Sequence, residues 1–125
     1  MALFTERELD VMSVLWTLKS GTVSEVRDRL DDDLAYNTVL TVLRTLETKG
    51  HVRHEGEGKA HRYFPTVKRE EAGRSGVARL LDKVFDGSAE ALLTHLVSDR
   101  GISREKLARM RKLIDEQMRN DKERR

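Results

Sequence analysis

Cysteine is absent from this 125-residue sequence, which removes disulfide frameworks, thiolate metal sites and cysteine nucleophiles from consideration. The absence suits a reducing compartment. Aromatic residues amount to only 5%, and hydrophobic residues at 38% are nearly matched by charged ones at 37%, so the core is modest and aliphatic. A chain this lean often gains stability by burying a second apolar face against a copy of itself. No apolar run approaches the ~18 residues of a membrane span. The opening Met1-Ala2-Leu3-Phe4-Thr5-Glu6 has neither the charged nor the apolar region of a signal peptide. A cytoplasmic, soluble protein with no membrane partner is expected. Also missing are a nucleophile elbow, a phosphate-cradling glycine loop and a paired-carboxylate arrangement. Gly56-x-Gly58 reads as a turn. Neither an enzyme nor a bound cofactor is expected.

What is present is unevenly spread charge. Residues 1–33 hold four Lys/Arg against eight Asp/Glu, whereas residues 34–69 hold seven against three and add His51, His54 and His61. A basic half beside an acidic one suggests a polyanion approached from one direction.

The order of elements gives that charge a frame. Thr5 and Glu8 have capping-box spacing, with Phe4 placed to staple to Leu9. Leu9, Met12, Leu15 and Trp16 then recur at helical spacing until Gly21. Thr22 and Glu25 repeat the cap and open a short helix from Val23 to Leu30, broken by Asp31-Asp32-Asp33. A third helix is expected from about Leu34 to Lys49, with 35–49 as its main stretch, stopping at Gly50, the left-handed residue after a lysine. A hairpin follows: a strand near His51–His54, the turn Glu55-Gly56-Glu57-Gly58-Lys59, and a strand from Ala60 to Phe64 closed by Pro65.

Beyond Val67 the pattern is helical throughout. Val77, Leu80, Leu81, Val84 and Phe85 form one apolar stripe, and Leu92, Leu93, Leu96 and Val97 a second. Ser103 caps a last helix whose stripe is Leu107, Met110, Ile114 and Met118. These helices are too lean for an independent core, so their stripes are expected to pack against a symmetry mate. The fold class expected is mainly α: a winged helix-turn-helix of three helices plus a β-hairpin wing (1–66), then a three-helix C-terminal dimerisation element (67–125).

The third helix carries the functional signal. Val39, Val42, Leu43 and Leu46 sit at core spacing, and the opposite row is Asn37, Thr41, Arg44 and Thr48, flanked by Tyr36, Thr38 and Thr45. Threonine is a mediocre helix former, and four in eleven residues cost a few tenths of a kcal/mol each, roughly. The row is also nearly free of the carboxylates that phosphates repel. Asn pairs with adenine, Arg with guanine, and Thr offers a hydroxyl to phosphate or a methyl to thymine. Bases are normally met by the N-terminal part of such a helix, which favours Tyr36, Asn37, Thr38 and Thr41. The hairpin adds Arg53, Lys59, His61 and Arg62 for phosphate or minor-groove contact. Thr22 and Ser24, with free N–H groups at the second helix's start, are expected to offer a further phosphate anchor.

With these residues in hand, the chain resembles the penicillinase-repressor family, which also contains the methicillin-resistance and copper-responsive repressors. The likeness lies in Tyr36-x-Thr38-Val39-x-Thr41-x-Leu43-x-x-Leu46-x-x-Lys49-Gly50 and in a wing ending His61-Arg62-Tyr63. Leu9 through Trp16 and Thr22-Val23-x-Glu25-Val26 are similar too, so the resemblance spans roughly residues 4–118. It implies a homodimeric repressor on a pseudo-palindromic double-stranded DNA operator, controlling a β-lactamase-type or other stress-response gene. It also implies a regulatory protease or membrane sensor as partner, because relatives in the antibiotic-responsive branch lose function when their dimerisation helices are cut. Their cut falls at an Asn-Phe bond, where this chain has His95-Leu96, a departure at the bond itself. The C-terminal cysteine cluster of copper-responsive relatives is absent.

Two other readings stand beside this one. A winged helix can dock a protein instead, through Tyr36 and the threonine row. A metal-responsive regulator would use the wing histidines, although strand alternation sends His51 and His54 to opposite faces and no nearby carboxylate is in evidence from sequence.

Overall fold

Thr5 and Thr22 open the first two helices in the same way. In the computed structural model, which describes residues 4–57 and 61–124, the Thr5 hydroxyl accepts from the Glu8 N–H at 3.1 Å and Glu8 Oε1 accepts from the Thr5 N–H at 2.8 Å. This reciprocal cap starts α1 (Glu6–Leu18). The buried face of α1 is Glu8, Val11, Met12 and Leu15, rotated from the stripe that the apolar residues suggest. Leu9, expected on that stripe, is 45% exposed. Phe4, expected to staple to it, has its ring against Trp16 and His51, with centroids 6.3 and 4.7 Å away. The rotation has a cause: Glu8 can enter the core because Lys49 Nζ meets its carboxylate at 2.9 and 3.0 Å.

Gly21 plays a different part from the helix stop assigned to it. The helix ends at Leu18, and Lys19 takes the left-handed backbone (φ 77°) with its N–H on the Leu15 carbonyl. Gly21 instead begins β1 (Gly21–Thr22), a strand that its two residues hide from any periodicity. A Cβ at this position would come within 3.1 Å of Val26 Cγ2, so glycine allows the strand to lie tight on the next helix. The Thr22–Glu25 capping box then opens α2 (Val23–Arg29).

The third helix, α3 (Tyr36–Thr48), starts from Ala35, whose side chain supplies no cap. Val39, Leu43 and Leu46 are fully buried, with Val42 half-buried beside them. The helix ends in paired turns: Gly50 N–H reaches Glu47 O and His51 N–H reaches Leu46 O. Gly50 supplies the left-handed residue (φ 84°) that this motif needs.

The wing strands are β2 (Val52–Glu55) and β3 (Arg62–Pro65). The sheet is antiparallel with order β1-β3-β2. Its central strand places Tyr63 opposite both Gly21 and His54, and Tyr63 is buried. Core side chains come from α1, α2, α3, β2 and β3: Val11, Met12, Leu15, Val23, Val26, Val39, Leu43, Leu46, Val52 and Tyr63. This is the expected winged helix-turn-helix, with one strand more than the hairpin read from sequence.

The remaining helices are α4 (Arg69–Lys83), α5 (Ala89–Asp99) and α6 (Arg104–Glu123), the last two capped by Ser88 and Ser103. Compactness divides the chain inside α4, into a unit that ends at Ala78 and one that begins at Arg79. The boundary expected at 66/67 falls just after the wing. No helix among the described residues is long and apolar enough to cross a membrane.

Candidate nucleic-acid interface

The helix that the core stripe anchors turns the opposite face outward. Asn37, Thr38, Thr41, Arg44, Thr45 and Thr48 are all exposed, while Tyr36 is half-buried against the core. No acidic residue lies in the first turn of α3. With no side-chain cap at Ala35, the first N–H groups of this helix stay open at the end where bases and phosphates are expected. The single carboxylate of α3, Glu47, is taken by His54 at 2.6 Å.

Arginines divide into engaged and unengaged ones. Arg62, a β3 residue expected on DNA, reaches back to α2: its guanidinium is 2.8 Å from Glu25 and 3.2 Å from Ser20 Oγ. Arg53 pairs with Glu55 at 2.7 Å and lies 4.4 Å over the Phe64 ring. Arg44, by contrast, makes no ion pair among the described residues. It stands on the polar row with its charge uncommitted. Lys59 lies outside the described residues.

The start of α2 is more occupied than the sequence suggests. Thr22 and Glu25 satisfy each other's backbone N–H groups, leaving Ser24 exposed beside them. The Glu25 carboxyl is held below its usual range, first by the Thr22 N–H and then by Arg62. A phosphate arriving there meets a carboxylate already balanced by an arginine.

The wing histidines are brought together in part. His54 and His61 stack with ring centroids 4.2 Å apart, and both lie near Tyr63. His51 is elsewhere, against Phe4. The expectation that no carboxylate stands near these histidines is corrected by Glu47, which folds onto His54 from α3, seven residues away. Among the described residues no group of three or more His, Asp or Glu is arranged to hold a metal ion. The His54–Glu47 pair ties β2 to α3. Burial raises the Tyr63 phenol beneath it, with Glu47 adding to the effect.

Two ties set the orientation of α3, and sequence reading finds neither. One is Glu8 to Lys49, across 41 positions; the other is Glu47 to His54. Burial pushes the Glu8 carboxyl up, but the Thr5 N–H and the Lys49 ammonium outweigh it, leaving it below its ordinary value. The cap signal Thr5-x-x-Glu8 was available; the distant lysine was not.

In the second unit the expected dimer residues are all described. Leu80, Val84, Leu93, Leu96, Leu107, Ile114 and Met118 are exposed, up to 67% at Val84. Leu81, Phe85, Leu92, Val97 and Met110 are half-buried. Val77, just before the division, is exposed as well. None of α4, α5 and α6 has a fully buried residue. Leu113 belongs with this set, 65% exposed, although it sits beside the 107–110–114–118 stripe rather than on it. His95, in α5, pairs with Asp99 at 2.7 Å and leans on Phe85.

Comparison with known proteins agrees with this architecture. A family profile described as penicillinase repressor matches residues 4–116. The chain is 38% identical over 98 residues to the transcriptional regulator BlaI of Mycobacterium tuberculosis (strain ATCC 25618 / H37Rv), covering 75% of this chain and 71% of that one. It is 23% identical over 121 residues to the penicillinase repressor of Bacillus licheniformis, covering 95% and 94%. A solved structure of a MarR family protein from Bacillus stearothermophilus aligns with TM-score 0.53 at 15% identity, over 97% of this chain and 77% of that one. That last likeness speaks for the fold.

Proposed function

The chain belongs to the penicillinase-repressor family of transcriptional regulators, and from that premise we propose that it is a dimeric, sequence-specific DNA-binding repressor. Each copy lays α3 in a major groove of a pseudo-palindromic operator, with half-sites about one turn or a multiple apart, on the order of 10 bp or more. The observation that carries this reading is the exposed row of α3, which offers Asn37, Thr41 and an Arg44 without an ion pair among the described residues, while the one carboxylate of the helix, Glu47, is held by His54. Regulator and repressor are also the names its relatives bear. The wing, seated by Arg62 on Glu25, flanks that helix and presents Arg53 and His61 to the backbone.

The homodimer is proposed from the apolar stripes of the second unit, which a copy of the chain would cover. Two weak half-site contacts become tight only when the dimer links them, so loss of the dimer is loss of repression. The His95-Leu96 bond, aligned with the relatives' cut, lies inside α5. A regulatory protease acting there has to open that helix first. A β-lactamase-type or other stress-response gene is the proposed target.

The test is a selection of duplexes from a random-sequence pool, followed by binding of the enriched duplex across salt concentrations. A repressor of this kind loses affinity steeply as salt rises, and Arg44→Gln weakens it by about 5- to 150-fold. Affinity indifferent to salt and to Arg44 would instead favour a protein-docking role for the same face.

A further inference from the structure

Three of the four exposed threonines of α3 are bonded to their own helix. Thr41 Oγ1 donates to the Asn37 carbonyl at 2.8 Å, Thr45 to the Thr41 carbonyl at 3.0 Å, and Thr48 to the Arg44 carbonyl at 3.0 Å. A hydroxyl has one proton to give, and in these three it is given. Thr38 stands apart: the residue four before it, Leu34, precedes the helix, and its hydroxyl makes no bond among the described residues.

Committed protons change what the row can recognise. Phosphate oxygens, guanine N7 and O6, and thymine O4 are all acceptors, and a hydroxyl whose proton is spent cannot donate to them. What the side chain still turns outward follows from its tetrahedral Cβ. With Oγ1 folded back on the preceding turn, the Cγ2 methyl projects from the helix surface. Thr41 and Thr45 are four apart on one face, so their methyls lie one turn apart, roughly 6 Å. Thr48 repeats the geometry, but in the last turn, away from the end that approaches bases.

We infer that Thr41 and Thr45 act as apolar readers of the C5-methyl groups of thymines in the major groove, while Thr38 keeps its hydroxyl for a phosphate. The inference rests on the DNA-reading role proposed above and adds the base chemistry that α3 selects. Arg44 and Asn37 are left with the hydrogen-bonding part of the code.

The experiment uses the full chain and the duplex enriched from a random pool, with each thymidine replaced in turn by deoxyuridine, which removes only the methyl. Binding weakens about 4-fold at each thymine so read, the worth of one buried methyl. Thr41→Ser and Thr45→Ser keep the back-bond and lose the methyl, so each variant becomes indifferent to the replacement at its own thymine. Thr41→Val keeps a methyl without a hydroxyl and retains the penalty. Unchanged binding to every uracil-containing duplex overturns the inference and leaves the repressor reading intact. So does a penalty at that thymine which Thr41→Ser keeps, since the Thr41 methyl would then not be what meets the thymine. A pool from which no sequence is enriched overturns both.

Discussion

The two units of this chain spend their apolar residues in opposite ways. Up to Ala78, ten hydrophobic side chains among the described residues close a core, and the buried carboxylate of Glu8 is matched by Lys49. From Arg79 onward, helices of comparable length bury nothing fully, and Val84, Leu113 and Met118 are each about two-thirds exposed. The first unit carries its own reason to fold. The second carries apolar stripes that only another surface would satisfy. Mutations in the two units should therefore act differently: core changes in the first on stability, stripe changes in the second on assembly and, through assembly, on DNA.

Leu96→Asp or Ile114→Asp should convert the dimer to monomer in sedimentation experiments and lower operator affinity by roughly 100-fold or more, since linkage of two sites is worth that much. If either variant stays dimeric with full affinity, the stripes are not the interface. Next in size, Leu43→Ala should cost about 2–5 kcal/mol of unfolding free energy, read by denaturant titration. The loss follows from the closed core, because Leu43 has no exposed surface. A cost below 1 kcal/mol, roughly, would mean that the core repacks around the gap.

A third substitution separates folding from reading. Arg44→Ala should leave the melting temperature within a degree or two, roughly, because exposed positions without partners matter little to stability. It should nonetheless weaken specific DNA binding by about 1–3 kcal/mol. Equal loss of stability and affinity would place Arg44 in the scaffold.

The smallest effect concerns pH. The Glu8 carboxyl has its folded value depressed, so its contribution is present above the ordinary carboxylate range and is lost as pH falls through the folded value. Glu8→Gln retains a capping amide but not the charge that Lys49 meets. It should cost about 1 kcal/mol at neutral pH, with Lys49 partly exposed to solvent, and flatten the acid side of the stability profile. An unchanged acid limb would show the pair to be idle.

Much of this was legible in the sequence, for local reasons. Capping boxes span three residues, and both Thr5–Glu8 and Thr22–Glu25 form as read. The polar row of α3 and its aliphatic opposite are set by one helical period, and both faces are found where that period puts them. What sequence reading missed depends on partners far along the chain. The rotation of α1 that exposes Leu9 and buries Glu8 needs Lys49. The turn of Arg62 toward α2 needs Glu25, 37 residues away. β1 is two residues long and exists because β3 pairs with it. Leu113 is hidden for a smaller reason: it flanks its stripe, outside the i, i+3, i+4 spacing that marks a helix face.

We propose that two copies of this chain, joined through the second unit, read one operator through two α3 helices. Sedimentation of the full chain with its enriched duplex tests that most directly. The expected result is an inverted repeat carrying two chains per duplex, with no stable complex of one chain on a half-site at the same concentration. A single chain bound tightly to an unrepeated sequence would contradict it.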